Sequence, residues 1–487
     1  MPKIAMIGAG SVIFCKTLVN DILATPSLSG SEICLMSRTK PKLDRMEAFV
    51  GRMIKENGFK AKVWSTLDRR EALKNADYVI VMVQVGGLDA FKMDYEIPLK
   101  YGVDQCIADS LGPGGVFRAL RTVPLLQGLT RDMAELCPKA ILLNYANPMG
   151  ANCLALGRIS EIPYIGLCHG VQTTLDLISR YVGVAKDKVD YLCAGINHMA
   201  WFLSLKEKGT GRDLYPVLRA NLEKPEYYVN EKVRGEVMRQ FGYFMTESTG
   251  HLSEYLPWFR SSRRALDLYC DQPGFGGASG AYYGYCAMLA KKYEDVDYLK
   301  LESPKVEKRS VEYCSYILEA VETGVPFKLN GNVRNDGYIT NLPQGCCVEV
   351  PVFVDSQGLH PTRVGALPPQ LAALNQTNVT VQGLAIEAAI TGDPEYAMQA
   401  IALDPLTSAV CTLEEVRRMT AELLEAEAEW LPQFNGRKLR PTPVIAIPKN
   451  VKAVDVPTDP ALAIANRFGV LAGQDVSAGS TRKKVRK

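Results

Sequence analysis

Apolar positions in the first part of the chain fall in short, nearly unbroken runs separated by longer stretches of helical period. Lys3–Ile7, Glu32–Met36 and residues 78–85, 140–143 and 164–167 are such runs, each bounded by polar or turn residues. Strands covered by helices on both faces read this way, because neither side of a parallel sheet meets water. The interval from about Ser11 to Leu23, and the spacing of Leu43, Met46, Phe49 and Val50, place apolar side chains on single helical faces. This alternation over about 170 residues predicts a doubly wound α/β sheet. Beyond about Cys193 the alternation fades, and helical stretches such as 414–431 mix with extended segments such as 346–354. The expected organisation is a doubly wound domain over residues 1–192, an α+β domain over 193–450, and a poorly ordered, basic-ended tail over 451–487.

Composition narrows the class of function. The 487 residues carry 56 Lys+Arg against 53 Asp+Glu, a formal charge of +3, which removes the electrostatic argument for a nucleic-acid or anionic-membrane partner. Hydrophobic residues at 47% and charged residues at 22% match ordinary globular chains and exclude disorder as the main state. No run approaches the ~18 apolar residues of a membrane span. The apolar start of the chain is broken at once by glycines, unlike a secretory signal. Thirteen cysteines, odd in number and scattered, read as free thiols in a reducing cytoplasm, with Cys346-Cys347 packed in a strand.

The first strand runs into Gly8-Ala9-Gly10-Ser11 and a helix follows. Glycine there lets a backbone approach a pyrophosphate lying on the helix amino terminus, the Rossmann context for a dinucleotide. The third glycine of the usual fingerprint is replaced by Ile13, so a purely structural turn is the competing reading. After the second strand, where an acidic residue normally meets the adenosine ribose, the chain has Met36-Ser37-Arg38. Arginine can accommodate a 2′-phosphate, so NADP⁺ is expected to compete with NAD⁺.

Three of the four histidines stand in unusual local sequences, Cys168-His169-Gly170-Val171, Gly195-Ile196-Asn197-His198 and His251-Leu252-Ser253-Glu254-Tyr255. Cys168 directly follows an apolar run, at the carboxyl edge of the sheet where ligands collect. A thiolate and an imidazole from two loops could hold a divalent transition ion with positions open for substrate oxygens, although such spacing also occurs between unrelated core residues. Asn144-Tyr145-Ala146-Asn147-Pro148 reaches the same edge, as a helix cap or facing a ligand. Asp109-Ser110-Leu111-Gly112-Pro113-Gly114-Gly115 precedes a helix bearing Arg118 and Arg121, and reads as a plain turn or as a mobile segment closing over a polar ligand.

Together these blocks resemble glycoside hydrolase family 4, the NAD- and divalent-metal-dependent glycosidases, and within it the α-galactosidase (melibiase) branch. The likeness runs from Lys3 to about Pro432 and includes Cys168-His169-Gly170-Val171-Gln172, Ala194-Gly195-Ile196-Asn197-His198-Met199, Gly331-Asn332-Val333-Arg334-Asn335-Asp336-Gly337 and Asn341-Leu342-Pro343-Gln344-Gly345-Cys346-Cys347-Val348-Glu349-Val350. NAD-dependent members stand outside the usual two-carboxylate scheme. The resemblance implies a Rossmann domain followed by an α+β part like that of lactate and malate dehydrogenases. It implies NAD bound at Gly8, Gly10, Ser11, Ser37 and Arg38, and Mn²⁺ or another divalent transition metal held by Cys168 and His198. Asn147 and His169 would contact a small α-glycoside. The sugar would be oxidised at C3 and deprotonated at C2, would lose its C1 substituent by elimination, then add water and be reduced again. Glu247 is favoured as the C2 base, with Tyr243 and Tyr255 behind it and Asp109 tuning its basicity. A homodimer or homotetramer is implied as well.

One departure bears on the sugar. Gly170 stands where the melibiase branch usually has serine, a pattern also met in members acting on α-glucuronides. Glycine opens space and removes a hydroxyl, so α-glucosidase and α-glucuronidase stand as alternatives to α-galactosidase. A 2-hydroxy-acid dehydrogenase would share the nucleotide fold without needing the Cys168/His198 pair.

Overall fold

The computed structural model describes residues 1–294, 298–452, 454, 460 and 464. Met1–Leu439 form one compact unit and Arg440–Lys487 a second. Residues 440–452 carry neither helix nor strand, and most of the tail expected over 451–487 lies outside the described residues.

The first unit is built on one sheet of eleven strands. Its first six are β1 (Lys3–Ile7), β2 (Glu32–Met36), β3 (Lys62–Thr66), β4 (Tyr78–Val81), β5 (Ile141–Asn144) and β6 (Tyr164–Gly166). They lie parallel in the order β3-β2-β1-β4-β5-β6, the doubly wound dinucleotide-fold order. The remaining strands are β7 (Val189–Ile196), β8 (Met199–Glu207), β9 (Phe327–Arg334), β10 (Cys347–Asp355) and β11 (Gly358–Pro361). β9 joins β6 antiparallel and the sheet continues through β10, β7 and β8, with β11 beside β10. The boundary expected at residue 192 falls inside β7, and the sheet runs through it within one compact unit.

The run at 78–85 leaves the sheet after Val81, because Gly86 and Gly87 both take positive φ and turn the chain into the helix Gly87–Lys100. β3 escapes the apolar-run criterion because it is an edge strand whose four last residues are half-buried. The helical stretch at 414–431 is Leu413–Ala426, opened by a Thr412/Glu415 capping box, with a short 3-10 turn after it. All thirteen cysteines are free. Among the described residues no helix is long and apolar enough to cross a membrane.

Strand register positions everything that follows. Ile7 pairs with Met36 and Val81, Val81 with Asn144, and Asn144 with Gly166. The row continues from Gly166 to Asn332, Glu349 and Gly195. Chain segments leaving β1, β2, β4, β5 and β6 thus emerge along one edge, and the end of β7, which runs opposite to β6, lies in the same row; Cys168 and His198 meet although thirty residues separate them in sequence.

Candidate active site

The β7–β8 hairpin turns in two residues, and His198 occupies the left-handed region at its tip (φ 62°). Its ring is buried, and Nδ1 lies 3.0 Å from the Tyr255 hydroxyl. Residues 244–246 then run along β8, with Phe202 N donating to Phe244 O (2.9 Å) and Thr246 N to Ala200 O (2.8 Å). That pairing delivers Glu247, itself at φ 82°, against the same histidine, with 3.4 Å from Oε2 to His198 Nε2. Cys168 Sγ, a His198 ring nitrogen and a Glu247 carboxylate oxygen all lie within 4.8 Å of one another.

This donor set fits a borderline transition ion. Thiolate, imidazole and carboxylate are its usual ligands, and three protein ligands leave positions free for substrate oxygens. Burial pulls His198 down to about 4, leaving it neutral, the form that ligates. Burial, then the Glu349 and Glu247 carboxylates, push the Cys168 thiol well above its usual value. A cation taken up here must therefore displace a proton from sulfur.

Ser248 caps the single helical turn Thr249–Leu252, which brings His251 onto the cluster, its ring centroid 4.5 Å from that of His198. His251 Nδ1 lies 3.4 Å from Glu247 Oε1, while Nε2 has no hydrogen-bond partner and faces Asp109 Oδ1 at 3.9 Å. Burial lowers its pKa, but Glu247, Glu254 and Asp109 outweigh burial and raise it to about 9. Burial likewise opposes ionisation of Glu247, yet the two neighbouring histidines hold its carboxyl well below the usual range.

Asp109 is 1% exposed and fully engaged, with Ser110 Oγ donating to Oδ1 (2.6 Å) and Asn147 Nδ2 to Oδ2 (2.9 Å). Burial raises its pKa, and Arg118 and His251 reverse the sign, so it stays ionised. The loop carrying it is buried on both sides of Asp109. A Cβ on Gly115 would stand 2.5 Å from the Ser110 carbonyl carbon, so glycine lets the following helix press directly on the loop. Arg118 is buried over Phe91, with Nη1 3.8 Å from Asp109.

His169 takes the rim of the cluster. Its side chain is 54% exposed and its Nδ1 lies 3.6 Å from Glu312, whose hydrogen bond raises the imidazole pKa. Tyr243 lies elsewhere: it stacks edge-on against Tyr215 in the core beside β7 and β8. Four residues of extended chain, roughly 13 Å, separate it from Glu247, and for that reason it does not join the cluster.

At the other end of the same edge, Gly8 N and Ala9 N both donate to Met36 O (2.9 and 3.0 Å). Gly8 has φ 97°, and a Cβ there would meet the Met82 carbonyl oxygen at 2.5 Å; at Gly10 it would stand 3.0 Å from Ser37 Oγ. The helix Val12–Leu23 starts after Ser11 with no side-chain cap, which leaves its first N–H groups free for an anion. Arg38 is exposed just beyond Ser37. This narrow, uncapped cradle fits a dinucleotide diphosphate.

Sequence reasoning assigned no role to His251 or Glu254, although the unusual His251-Leu252-Ser253-Glu254-Tyr255 string was visible. Glu349, buried behind Cys168, gave no signal outside its strand.

Two family models match the chain. The family 4 glycosyl hydrolase model matches residues 3–184, and the model of that family's C-terminal domain matches 193–407. An α-galactosidase of Rhizobium meliloti is 39% identical over 440 residues, 89% of each chain. An α-galactosidase of Bacillus subtilis is 40% identical over 442 residues, 89% of this chain and all of that one. Among solved structures, a Bacillus subtilis glucosidase superposes with a TM-score of 0.77 at 25% identity, over 87% of this chain and 100% of that one. A 6-phospho-α-glucosidase from gut microorganisms, solved with NAD and Mn²⁺, shares the fold (TM-score 0.74, 18% identity, 88% and 99% covered).

Proposed function

The chain belongs to family 4 of the glycosyl hydrolases, and from that premise we propose that it is an NAD- and divalent-metal-dependent α-galactosidase. The observation that carries this reading is the convergence of Cys168, His198 and Glu247 within 4.8 Å at the sheet edge that also presents the Gly8–Gly10 cradle. α-Galactosidases at about 40% identity across nearly the whole chain support the sugar.

When bound, the dinucleotide would supply a reversible hydride acceptor for sugar C3, and the cation, Mn²⁺ or a similar ion, a Lewis acid for the sugar's oxygens. Gly8, Gly10 and Ser11 receive the diphosphate, Ser37 and Arg38 border the adenosine ribose, and Cys168 and His198 hold the cation. Asn147 and His169 contact substrate hydroxyls, and the ionised Asp109, which accepts from Asn147 Nδ2, tunes the basicity of the site. Oxidation at C3 acidifies the C2 proton, and the ionised, buried Glu247 takes it. The C1–O bond then breaks by elimination, with His169 at the rim giving its proton to the departing oxygen. Water adds to the double bond, C2 regains a proton, and C3 is reduced again, so no NADH accumulates. Residues 1–192 thus supply the dinucleotide cradle together with Cys168, Asn147 and His169, and 193–450 supply His198, Glu247 and the surfaces for assembly into a homodimer or homotetramer. Thirteen free thiols favour a reducing, cytoplasmic setting.

Gly170 favours a second reading of the sugar. A Cβ there would lie 3.5 Å from Cys168 Sγ and 3.6 Å from Glu247 Oε2, so glycine keeps open the space beside the donor cluster where a differently configured or oxidised sugar would sit. A panel of p-nitrophenyl α-glycosides, assayed with and without NAD⁺, Mn²⁺ and thiol, tests both. Hydrolysis of the galactoside only when all three are present, without net NADH, is the expected result. Preference for the glucoside or glucuronide moves the specificity, and stoichiometric NADH production overturns the glycosidase reading in favour of a dehydrogenase.

A further inference from the structure

We infer that Glu254 is a positioning residue that fixes Asp109 relative to the Cys168/His198 cluster. Its carboxylate is 1% exposed and is filled by the loop before Asp109. Oε1 accepts from Cys106 N (2.8 Å) and Ile107 N (2.5 Å), and Oε2 from Ala108 N (3.1 Å) and Gln105 Nε2 (3.0 Å). Three consecutive backbone N–H groups converging on one side-chain carboxylate make an anion nest occupied from within the chain. The nest forces Ala108 into the left-handed region (φ 59°), immediately before Asp109.

The other side of the loop is held as well. Gly280 N donates to Gln105 O (2.9 Å) and Tyr282 N to Cys106 O (3.1 Å). Arg260, six residues after Glu254, binds Asp104 O (2.7 Å) and Gly277 O (2.9 Å). Glu254 follows the turn that carries His251 and precedes Tyr255, whose hydroxyl meets His198. One short segment therefore grips both halves of the active site, the metal side through Tyr255 and His251, and the Asp109 loop through Glu254.

Each carboxylate oxygen takes two donors, so glutamine cannot replace it: either amide orientation sets an NH₂ group against two N–H donors. Glu254→Gln must shift the loop, and a displacement near 1 Å at a substrate-positioning group costs about 100-fold in rate. The loss is expected in kcat/KM, with NAD⁺ and Mn²⁺ affinities within about twofold of the parent, since the Gly8–Gly10 cradle and the Cys168, His198 and Glu247 donors all lie outside this loop.

Two measurements on the full-length holoenzyme decide the matter. Amide hydrogen exchange followed by mass spectrometry should rise in peptides over 104–112 in Glu254→Gln and stay unchanged over Cys168 and His198; unchanged exchange at 104–112, or exchange rising everywhere, overturns the clamp. A double-mutant cycle with Asp109→Asn, read as p-nitrophenyl α-galactoside hydrolysis, should be strongly non-additive, because both variants disable one group; multiplicative losses overturn action through Asp109. Should the glutamine variant fail to fold, Glu254→Asp, which retains both acceptor oxygens on a shorter stem, is read the same way and should lose less. The inference rests on the proposed glycosidase for its second measurement only. A chain that hydrolyses no α-galactoside refutes that reading, and the exchange measurement still decides whether Glu254 fixes the loop.

Discussion

The Nδ1 nitrogen of His198 lies 3.0 Å from the Tyr255 hydroxyl, and this contact turns Nε2 toward Cys168 and Glu247. A ring held through one nitrogen presents the other with its lone pair outward, as in sites where an outer partner fixes the ligand's tautomer. Tyr255→Phe keeps the packing and removes the partner. Mn²⁺ affinity of this variant, titrated by electron paramagnetic resonance, is expected to fall about 10-fold with NAD⁺ affinity unchanged. Equal Mn²⁺ affinity in the two proteins would show that packing alone orients the ring.

Glu247 stands where a carboxylate serves either as the C2 base or as a third ligand, since its oxygen lies within 4.8 Å of both Cys168 and His198. We expect Glu247→Gln to abolish exchange of the sugar C2 proton with solvent deuterium while Mn²⁺ and NAD⁺ still bind. Undiminished exchange moves the base elsewhere. A loss of Mn²⁺ affinity of 10-fold or more, accompanying the loss of exchange, assigns the carboxylate to the cation.

How far the sequence foretold this site follows from where its information lies. β1, β2, β5 and β6 were legible because strands buried on both faces must be apolar throughout. β3, at the sheet edge, carries no such constraint. Cys168 and His198 were recognisable as candidates from local motifs, yet their meeting depends on a register row through four strands, β6-β9-β10-β7. The glycine-rich stretch after Asp109 left a plain turn and a mobile segment both open in sequence. The residues just before Asp109 bond to Glu254, 148 residues beyond Cys106, and no local pattern records a partner at that distance.

Arg38 is exposed directly after Ser37, beside the cradle formed by Gly8 and Gly10. An arginine at this place pairs with a 2′-phosphate, whereas a ribose hydroxyl has no need of its charge. Calorimetry should give comparable constants for NAD⁺ and NADP⁺ in the parent, and Arg38→Ala should weaken NADP⁺ about 10-fold with little effect on NAD⁺. A strong NAD⁺ preference in the parent would remove the role.

Arg121 is buried between two carboxylates, donating to both Asp94 oxygens (2.9 and 2.6 Å) and to Glu427, with Nε reaching the Val85 carbonyl (3.3 Å). The arrangement ties the end of the helix Leu413–Ala426 to the two helices flanking the Asp109 loop. Arg121→Met strands two buried acids, and losses of about 3–5 kcal/mol are typical when one partner of a buried pair is removed. A correspondingly lower urea midpoint is expected; replacing all three by apolar residues should recover much of it.

Glu349 sits in the row between Asn332 and Gly195, buried behind Cys168, and its Oε1 has no hydrogen-bond partner. Burial first, and then the Glu247 charge, raise its pKa from 4.5 to about 8. Between those values the folded protein holds a proton that the unfolded chain has released, so stability declines as pH rises through the window and levels off above it. A neutral carboxyl at working pH also spares the cluster another negative charge beside Glu247. Glu349→Gln fixes the uncharged form permanently. In the metal-free protein, the variant should melt with the parent near pH 5 and a few degrees above it near pH 9, a difference within the range that ~1–2 kcal/mol produces. Parallel melting curves across that range would place the ionised carboxylate in a solvated environment and remove the argument for a neutral group behind the thiol.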